Sequence, residues 1–267
     1  MADPNTILTS IGTTLITNLV SDKNSGPFRT LNDVWDYSIG SLIHSIAEKK
    51  RVKHAFDVEA YKKQLEKEVL SIPPDNLIEP PLNIIGPALE ASKYYIEEEA
   101  LRSMFAKLVA SSMDDRKSDH VHPAFIELIK QLSPLDAEII DSFNKQSLHP
   151  IVNYGVRDSN DGSFRVMIGN VFLIGNVYLN NKKGFDNMDK QLNSIANLHR
   201  LGLVTIQYDF SIGDHWYIEY EEHESYRDFC DSITEEEEFF GGSVDIQKGG
   251  VRLSTLGLSF VATVSGE

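Results

Sequence analysis

Proline and glycine are distributed unequally along this chain, and that distribution constrains the fold more than any other feature. All ten prolines occur at or before Pro150, whereas thirteen of the seventeen glycines occur after it. Proline fits the first turn of a helix but breaks a helix interior, while glycine permits the tight turns that connect strands. We therefore predict a helical N-terminal part, followed by a part that combines helices with β-strands.

The N-terminal part repeats apolar residues at the spacing of one helix face. Five helices are predicted on this basis, over residues 31–46, 57–69, 80–95, 101–113 and 123–129. Asp57 is the expected N-cap of the second helix, and Pro87 is expected to kink the third. Together these helices predict a bundle over residues 28–131.

The C-terminal part, residues 132–267, shows another order of elements. It predicts a helix at 133–143, strands around 164–180, a helix at 188–201 closed by Gly202, two strands at 204–210 and 215–221, and a strand that leads into a helix over 251–264. This order is typical of a winged helix-turn-helix. The predicted class is therefore α+β, with an N-terminal helical bundle followed by a winged-helix-like domain.

The chain is strongly acidic, with a net charge of −15. Between Asp209 and Asp245 there are thirteen acids and one base, Arg227, so we expect an acidic insertion over about 209–248. A wing of this charge repels a phosphate backbone, and we expect no nucleic-acid binding. Two alternatives stay open: a solvated loop, or a surface that binds a basic partner. The expected partner-binding residues are Glu235, Glu236, Glu237, Glu238, Phe239 and Phe240.

The sequence shows no pattern that defines a reaction. It has no phosphate-binding glycine loop, nucleophile elbow or HExxH motif, and its one cysteine, Cys230, excludes an internal disulfide. The segment DDRKSDHVHP contains Asp114, Asp115, Asp119, His120 and His122, which suit either a polar loop or a metal site. We expect no catalytic residues, metal or cofactor. A hydrolase that uses Asp114, Asp119, His120 and His122 with a divalent metal is the enzymatic alternative.

The N-terminal segment, residues 1–27, contains eighteen consecutive residues without a charge, from Pro4 to Ser21. Its apolar residues lie at helical spacing and are the candidates for self-association or membrane contact: Ile7, Leu8, Ile11, Leu15, Ile16, Leu19 and Val20. They are too few for a conventional spanning helix. Packing on the chain's own core, pairing between copies and bilayer entry after oligomerisation all stay open. The start also lacks the basic region of a signal peptide, which predicts a cytoplasmic protein.

Three consecutive segments carry a resemblance to a known family. They are IPPDNLIEPPL (72–82), ALEASKYYIEEEALRSMFAKLVASSMD (88–114) and VHPAFIELIKQLSPLD (121–136). With the later LHRLGLV and LSTLGLSF, they resemble the abortive infection alpha (Abi-alpha) family of bacterial anti-phage proteins over residues 70–264. Within the first segment, Glu79 is expected near the positive end of the helix that Pro80 and Pro81 begin.

The resemblance implies a role in defence against bacteriophage, in which an infected cell stops growing or dies. It implies no catalytic residues. The hypothesis is a non-enzymatic protein that senses a phage protein by direct contact, forms a homo-oligomer and perturbs the inner membrane through its N-terminal helix. The alternative is a winged-helix regulator that binds nucleic acid.

Overall fold

The computed structural model describes residues 26–39, 48–144, 146–173, 185–233 and 242–265. The chain divides into two compact units, one made of residues 1–134 with 259–267 and the other of residues 135–258. The predicted α+β class is confirmed, because helices occur in both units and one four-stranded antiparallel sheet lies in the second.

The first unit consists of helices, and prolines lie in the connections before α3 and before α5. The helices are α1 (Gly26–Ser38), α2 (Glu48–Leu70), α3 (Leu82–Ser92), α4 (Glu99–Ser112) and α5 (Ala124–Lys130). Pro81 precedes the first residue of α3, and Pro87 lies inside this helix. Several apolar residues of the predicted helix faces are fully buried, among them Leu31, Tyr61 and Phe105.

The predicted N-cap at Asp57 is wrong. Helix α2 begins at Glu48, nine positions earlier, and Asp57 lies within it. Neither proline nor glycine occurs between these two residues, so nothing in this stretch breaks the helix. A capping residue is favourable at a helix start, but it does not force a helix to begin.

Glu79, in the first of the three family-like segments, contacts the start of α1. Its carboxylate accepts a hydrogen bond from the Thr30 hydroxyl. A Cβ atom placed on Gly26 would lie 3.0 Å from Glu79 Oε2. A carboxylate is stabilised at the N-terminus of a helix, where free backbone N–H groups point outward. Glu79 therefore stabilises the start of α1, which follows the uncharged N-terminal segment in the sequence.

The second unit begins with α6 (Pro134–Ser142) and contains strands β1 (Leu148–Asp158), β2 (Phe164–Val171), β3 (Val204–Gln207) and β4 (Gly242–Leu253). Helix α7 (Phe185–Arg200) lies between β2 and β3, and α10 (Thr255–Val264) follows β4. The strand order is β2-β1-β4-β3, and all neighbouring strands are antiparallel. Strand β1 was not predicted from the sequence, although it is one of the two central strands.

Two predictions about the end of α7 and its neighbours are confirmed. Gly202 has a φ of +72°, and the Leu203 N–H donates to the Leu198 carbonyl at 3.0 Å, as expected for a glycine that closes a helix. Strand β4 leads into α10, as the 251–264 pattern predicted. Gly257 allows close packing here, since a Cβ atom would lie 2.0 Å from the Leu203 carbonyl oxygen.

The predicted strand at 215–221 is wrong. Asp214–Trp216 form a 3₁₀ turn, and α8 (Ile218–Glu222) follows. Strand β3 therefore pairs with β4, about forty-five positions later, and not with a returning strand directly after it. The alternating aromatic residues favour a strand, but Tyr217 and Tyr220 lie three positions apart and both are buried, which is helical spacing.

Candidate protein-interaction surface

The segment between β3 and β4 contains most of the acidic residues predicted to form an insertion. Its described part, residues 208–233, consists of the Asp214–Trp216 turn, α8, and α9 (Glu224–Ser232). His223 caps α9, because its Nδ1 accepts a hydrogen bond from the Ser225 N–H at 3.0 Å. We call residues 208–233 the insertion. It has defined secondary structure, whereas Glu235, Glu236, Glu237 and Glu238, which the solvated-loop alternative also covers, lie outside the described residues.

Two buried tyrosines attach the insertion to the sheet. The Tyr220 hydroxyl donates to the Pro150 carbonyl at 2.7 Å and accepts from the Leu173 N–H at 3.1 Å. The Tyr217 hydroxyl donates to the Gly249 carbonyl at 2.7 Å and accepts from the Ile212 N–H at 3.2 Å. Each hydroxyl therefore donates to a carbonyl of a central strand and accepts from a second backbone N–H.

An aromatic cluster lies between the insertion and the sheet. Tyr154 of β1 stacks on Phe229 of α9 with ring centroids 5.7 Å apart, and it lies 5.0 Å from Tyr226. The Tyr154 hydroxyl donates to the Tyr220 carbonyl at 3.2 Å. Aromatic rings of this kind bury large apolar areas and prefer offset geometries. The insertion and the sheet therefore share one hydrophobic cluster.

Burial keeps the hydroxyls of this cluster protonated. It raises the pKa of Tyr154 to about 12 and that of Tyr226 to about 12, and it raises the pKa of Tyr220 still further. It also raises the pKa of the Cys230 thiol above its usual value. A thiol shifted in this direction is a poor nucleophile at neutral pH. The cluster is therefore suited to packing and hydrogen bonding rather than to proton transfer.

Lys248 of β4 forms ion pairs with two acids of the insertion. Its Nζ lies 3.1 Å from Asp214 Oδ1 and 3.2 Å from Glu221 Oε1, and 5.4 Å from the centre of the Tyr217 ring. Burial by itself lowers the pKa of this lysine, but the hydrogen bonds and charges of the Asp214 and Glu221 carboxylates together raise the pKa above its usual value. Lys248 therefore links the sheet to the insertion beside the tyrosine anchor.

The outer side of the insertion is acidic and partly apolar. Residues 209–233 contain eight acids and one base, Arg227, and seven of those acids are exposed. Three apolar side chains, Phe210, Trp216 and Ile218, are also exposed. Large exposed apolar side chains next to ordered structure are typical of binding surfaces. This outer side is the candidate interaction surface.

Two residues of the enzymatic alternative, Asp114 and His122, make structural contacts within the chain. Asp114 is 2% exposed and accepts hydrogen bonds from Arg116 Nε at 2.8 Å and from its terminal nitrogen at 2.6 Å. These bonds hold the pKa of Asp114 below its usual range. His122 Nδ1 accepts from the Ala124 N–H at the start of α5. Within the described residues, no three potential ligands come together as a metal site.

The residues predicted for partner binding and membrane contact lie outside the described ranges. They are Glu235, Glu236, Glu237, Glu238, Phe239 and Phe240, and Ile7, Leu8, Ile11, Leu15, Ile16, Leu19 and Val20. None of the helices that the structure does describe is both long enough and apolar enough to cross a membrane.

The sequence predicted the negative charge of this surface, but not its helical turns or the tyrosines that attach it to the sheet. The available signal was the spacing of Tyr217 and Tyr220, which fits one side of a short helix. The aromatic residues and the isoleucine of this segment favour a strand when only the local sequence is considered. The hydrogen-bond partners of these tyrosines could not be found from local pattern, since they lie on distant strands.

The fold and this surface define a two-unit α+β protein whose second unit carries an acidic insertion fixed by buried tyrosines. The family model described as abortive infection alpha matches residues 53–264. This match covers most of the chain, so the protein belongs to the abortive infection alpha family and has a role in bacterial abortive-infection defence. Neither the curated proteins nor the solved structures contain a match to it.

Proposed function

We propose that this protein acts in abortive infection by recognising a phage protein through direct contact, after which the infected cell stops growing or dies. The observation that carries the proposal is the insertion, a negatively charged and partly apolar surface that buried hydroxyls fix to the sheet. Fixed surfaces bind partners with a smaller entropic cost than mobile loops do. Membership in the abortive infection alpha family supplies the biological setting.

The proposed mechanism involves no catalysis by this chain. Two of the candidate groups, Asp114 and His122, make contacts that support the fold, and this is consistent with the proposal. Recognition would then lead to a change in assembly rather than to a covalent step. Purified protein incubated with lysate from infected cells should therefore cross-link to a phage protein. Failure to recover a phage protein whose enrichment depends on the insertion would count against the proposal.

The harmful step is proposed to be oligomerisation that brings the uncharged N-terminal segment to the inner membrane. The segment joins the first unit at α1, whose first residue lies against Glu79. Contact with the membrane would need several copies, because one segment contains only seven strongly apolar residues among eighteen. This part of the proposal explains cell death without an enzyme.

Leakage from dye-loaded anionic vesicles tests the membrane step. Full-length protein with lysate from infected cells should release the dye, and protein lacking residues 4–21 should not. The matched control is lysate from uninfected cells. If the deletion variant still protects cells from phage, the N-terminal segment is not the effector, and the recognition proposal stands by itself.

The second candidate function is a nucleic-acid-binding regulator. The order of the elements α7, β3, β4 and α10 is similar to the order in a winged helix, and this similarity supports the second candidate. The acidic insertion, however, lies between β3 and β4, where a winged helix would have its wing. Acids at this position would repel a phosphate backbone. A gel-shift assay with genomic fragments at physiological salt distinguishes the two, because retained specific binding would favour the regulator.

A further inference from the structure

Three exposed apolar side chains occur within nine residues of the insertion. Phe210 is 37% exposed, Trp216 is 41% exposed and Ile218 is 49% exposed. Tryptophan is enriched at binding surfaces, because it can bury a large apolar area and a polar N–H together. We call Phe210, Trp216 and Ile218 the apolar patch.

Buried neighbours hold the patch in place. Tyr217 lies between Trp216 and Ile218, and its hydroxyl makes the hydrogen bonds to Gly249 and Ile212 described above. The Phe210 ring packs on β4, where a Cβ atom on Gly250 would lie 2.7 Å from its Cζ. The backbone under the patch is therefore fixed before any partner arrives, which lowers the entropic cost of binding.

Exposed acids flank the residues of the patch in the sequence. Lys248 pairs with Asp214 and Glu221, whereas Asp209, Glu219 and Glu222 are exposed and have no ion pair within the described ranges. A second copy of this chain would bring the same acids against them, and an anionic membrane would also repel them. A cationic protein segment is the occupant whose charge is complementary.

We propose that the apolar patch is a docking site for a lysine- or arginine-rich protein segment that places an apolar side chain beside Trp216. The cations of the segment would pair with Glu219 and Glu222, and one of them could lie over the indole face. The apolar side chain would supply the desolvated centre that most interfaces need. This inference rests on the proposed recognition function and names its surface and the chemistry of its partner.

The binding test uses two synthetic peptides and the full-length protein. Both peptides have the same lysines and arginines, but one carries leucines where the other carries serines. Emission from Trp216 follows binding, because the only other tryptophan, Trp35, is 1% exposed. The leucine peptide should bind at least about tenfold more tightly than the serine peptide.

Matched variants locate the site. Trp216→Ala should weaken the leucine peptide about tenfold or more in calorimetry, whereas Tyr94→Ala, which removes a 75% exposed aromatic ring elsewhere, should leave binding unchanged. Glu219→Lys with Glu222→Lys should weaken binding and reduce its dependence on salt. Glu138→Lys changes an exposed acid on α6 by the same charge per site and should have little effect.

The proposal is overturned if both peptides bind equally, if Trp216→Ala binds like the unmodified protein, or if anionic vesicles bind the patch more tightly than the leucine peptide does. Phage protection gives a separate answer. Trp216→Ala that loses both peptide binding and protection supports the docking site and the recognition function. Loss of peptide binding with full protection would keep the docking site and reject its use in recognition.

Discussion

The buried hydroxyl of Tyr220 should be a main attachment of the insertion to the sheet. Tyr220→Phe keeps the ring, so the aromatic packing is preserved, but it removes the hydrogen bonds to the Pro150 carbonyl and from the Leu173 N–H. A neutral hydrogen bond contributes about 1 kcal/mol net, and a buried donor left unpaired costs about 1–3 kcal/mol. We expect Tyr220→Phe to lower the free energy of unfolding of the second unit by about 2–3 kcal/mol.

Urea unfolding followed by tryptophan emission measures this loss. In a Trp35→Phe background the remaining tryptophan, Trp216, lies in the insertion and reports on the second unit. A loss of about 2 kcal/mol should move the urea midpoint by about 1 M. Hydrogen exchange should also become faster for the backbone amides of residues 212–233, because the insertion opens more often.

Tyr94→Phe is the control for loss of an exposed tyrosine hydroxyl, and it should change the free energy of unfolding by less than about 0.5 kcal/mol. A change of the same small size for Tyr220→Phe would refute the claim that this hydroxyl attaches the insertion. A large loss without faster exchange in residues 212–233 would also refute it, because the effect would then lie elsewhere in the unit.

Three further predictions concern other parts of the chain. Glu79→Gln should speed hydrogen exchange at the start of α1, since it weakens the interaction with the helix N-terminus; unchanged exchange would contradict this. Burial between two phenylalanine rings lowers the pKa of His149 from its usual 6.5. The unfolded chain therefore binds that proton more readily, and stability should fall as pH drops from about 7.5 to about 5.5, less steeply in His149→Phe. Gly257→Ala should cost about 2–3 kcal/mol in urea unfolding, because its Cβ would meet the Leu203 carbonyl. Gly86→Ala should be neutral or stabilising by up to about 1 kcal/mol. Apart from the neighbouring backbone of its own helix, no atom would lie within 4 Å of the added Cβ.

Features that depend on a few neighbouring residues could be predicted from the sequence. The apolar faces of α3, α4 and α5 and the glycine that closes α7 follow from spacing and capping. The negative charge between β3 and β4 follows from composition alone. Family membership was also detectable, because its motifs are continuous segments of the first unit and of the links to the second.

Local patterns did not indicate which segments pair across the fold. Strand β1 was missed because it contains Pro150, Asn153 and Gly155, which weaken its local strand signal. Its pairing with β4 compensates for this along its whole length. The predicted returning strand failed for the opposite reason, since its local signal was strong but tertiary packing favoured a helical turn.

The interaction surface also has features that the sequence predicts and features that depend on the fold. Its acids could be counted in the sequence, but the exposure of Trp216 and the burial of Tyr217 could not be assigned to adjacent residues without the fold. Tyr220 and Pro150 are 70 positions apart in the chain, and Thr30 and Glu79 are 49 apart. The amino-acid sequence determined local helix faces, caps and charge, because these depend on nearby residues. Only the tertiary structure decided which backbone groups the tyrosines satisfy, because a buried hydrogen bond depends on distant segments that meet only when the chain folds.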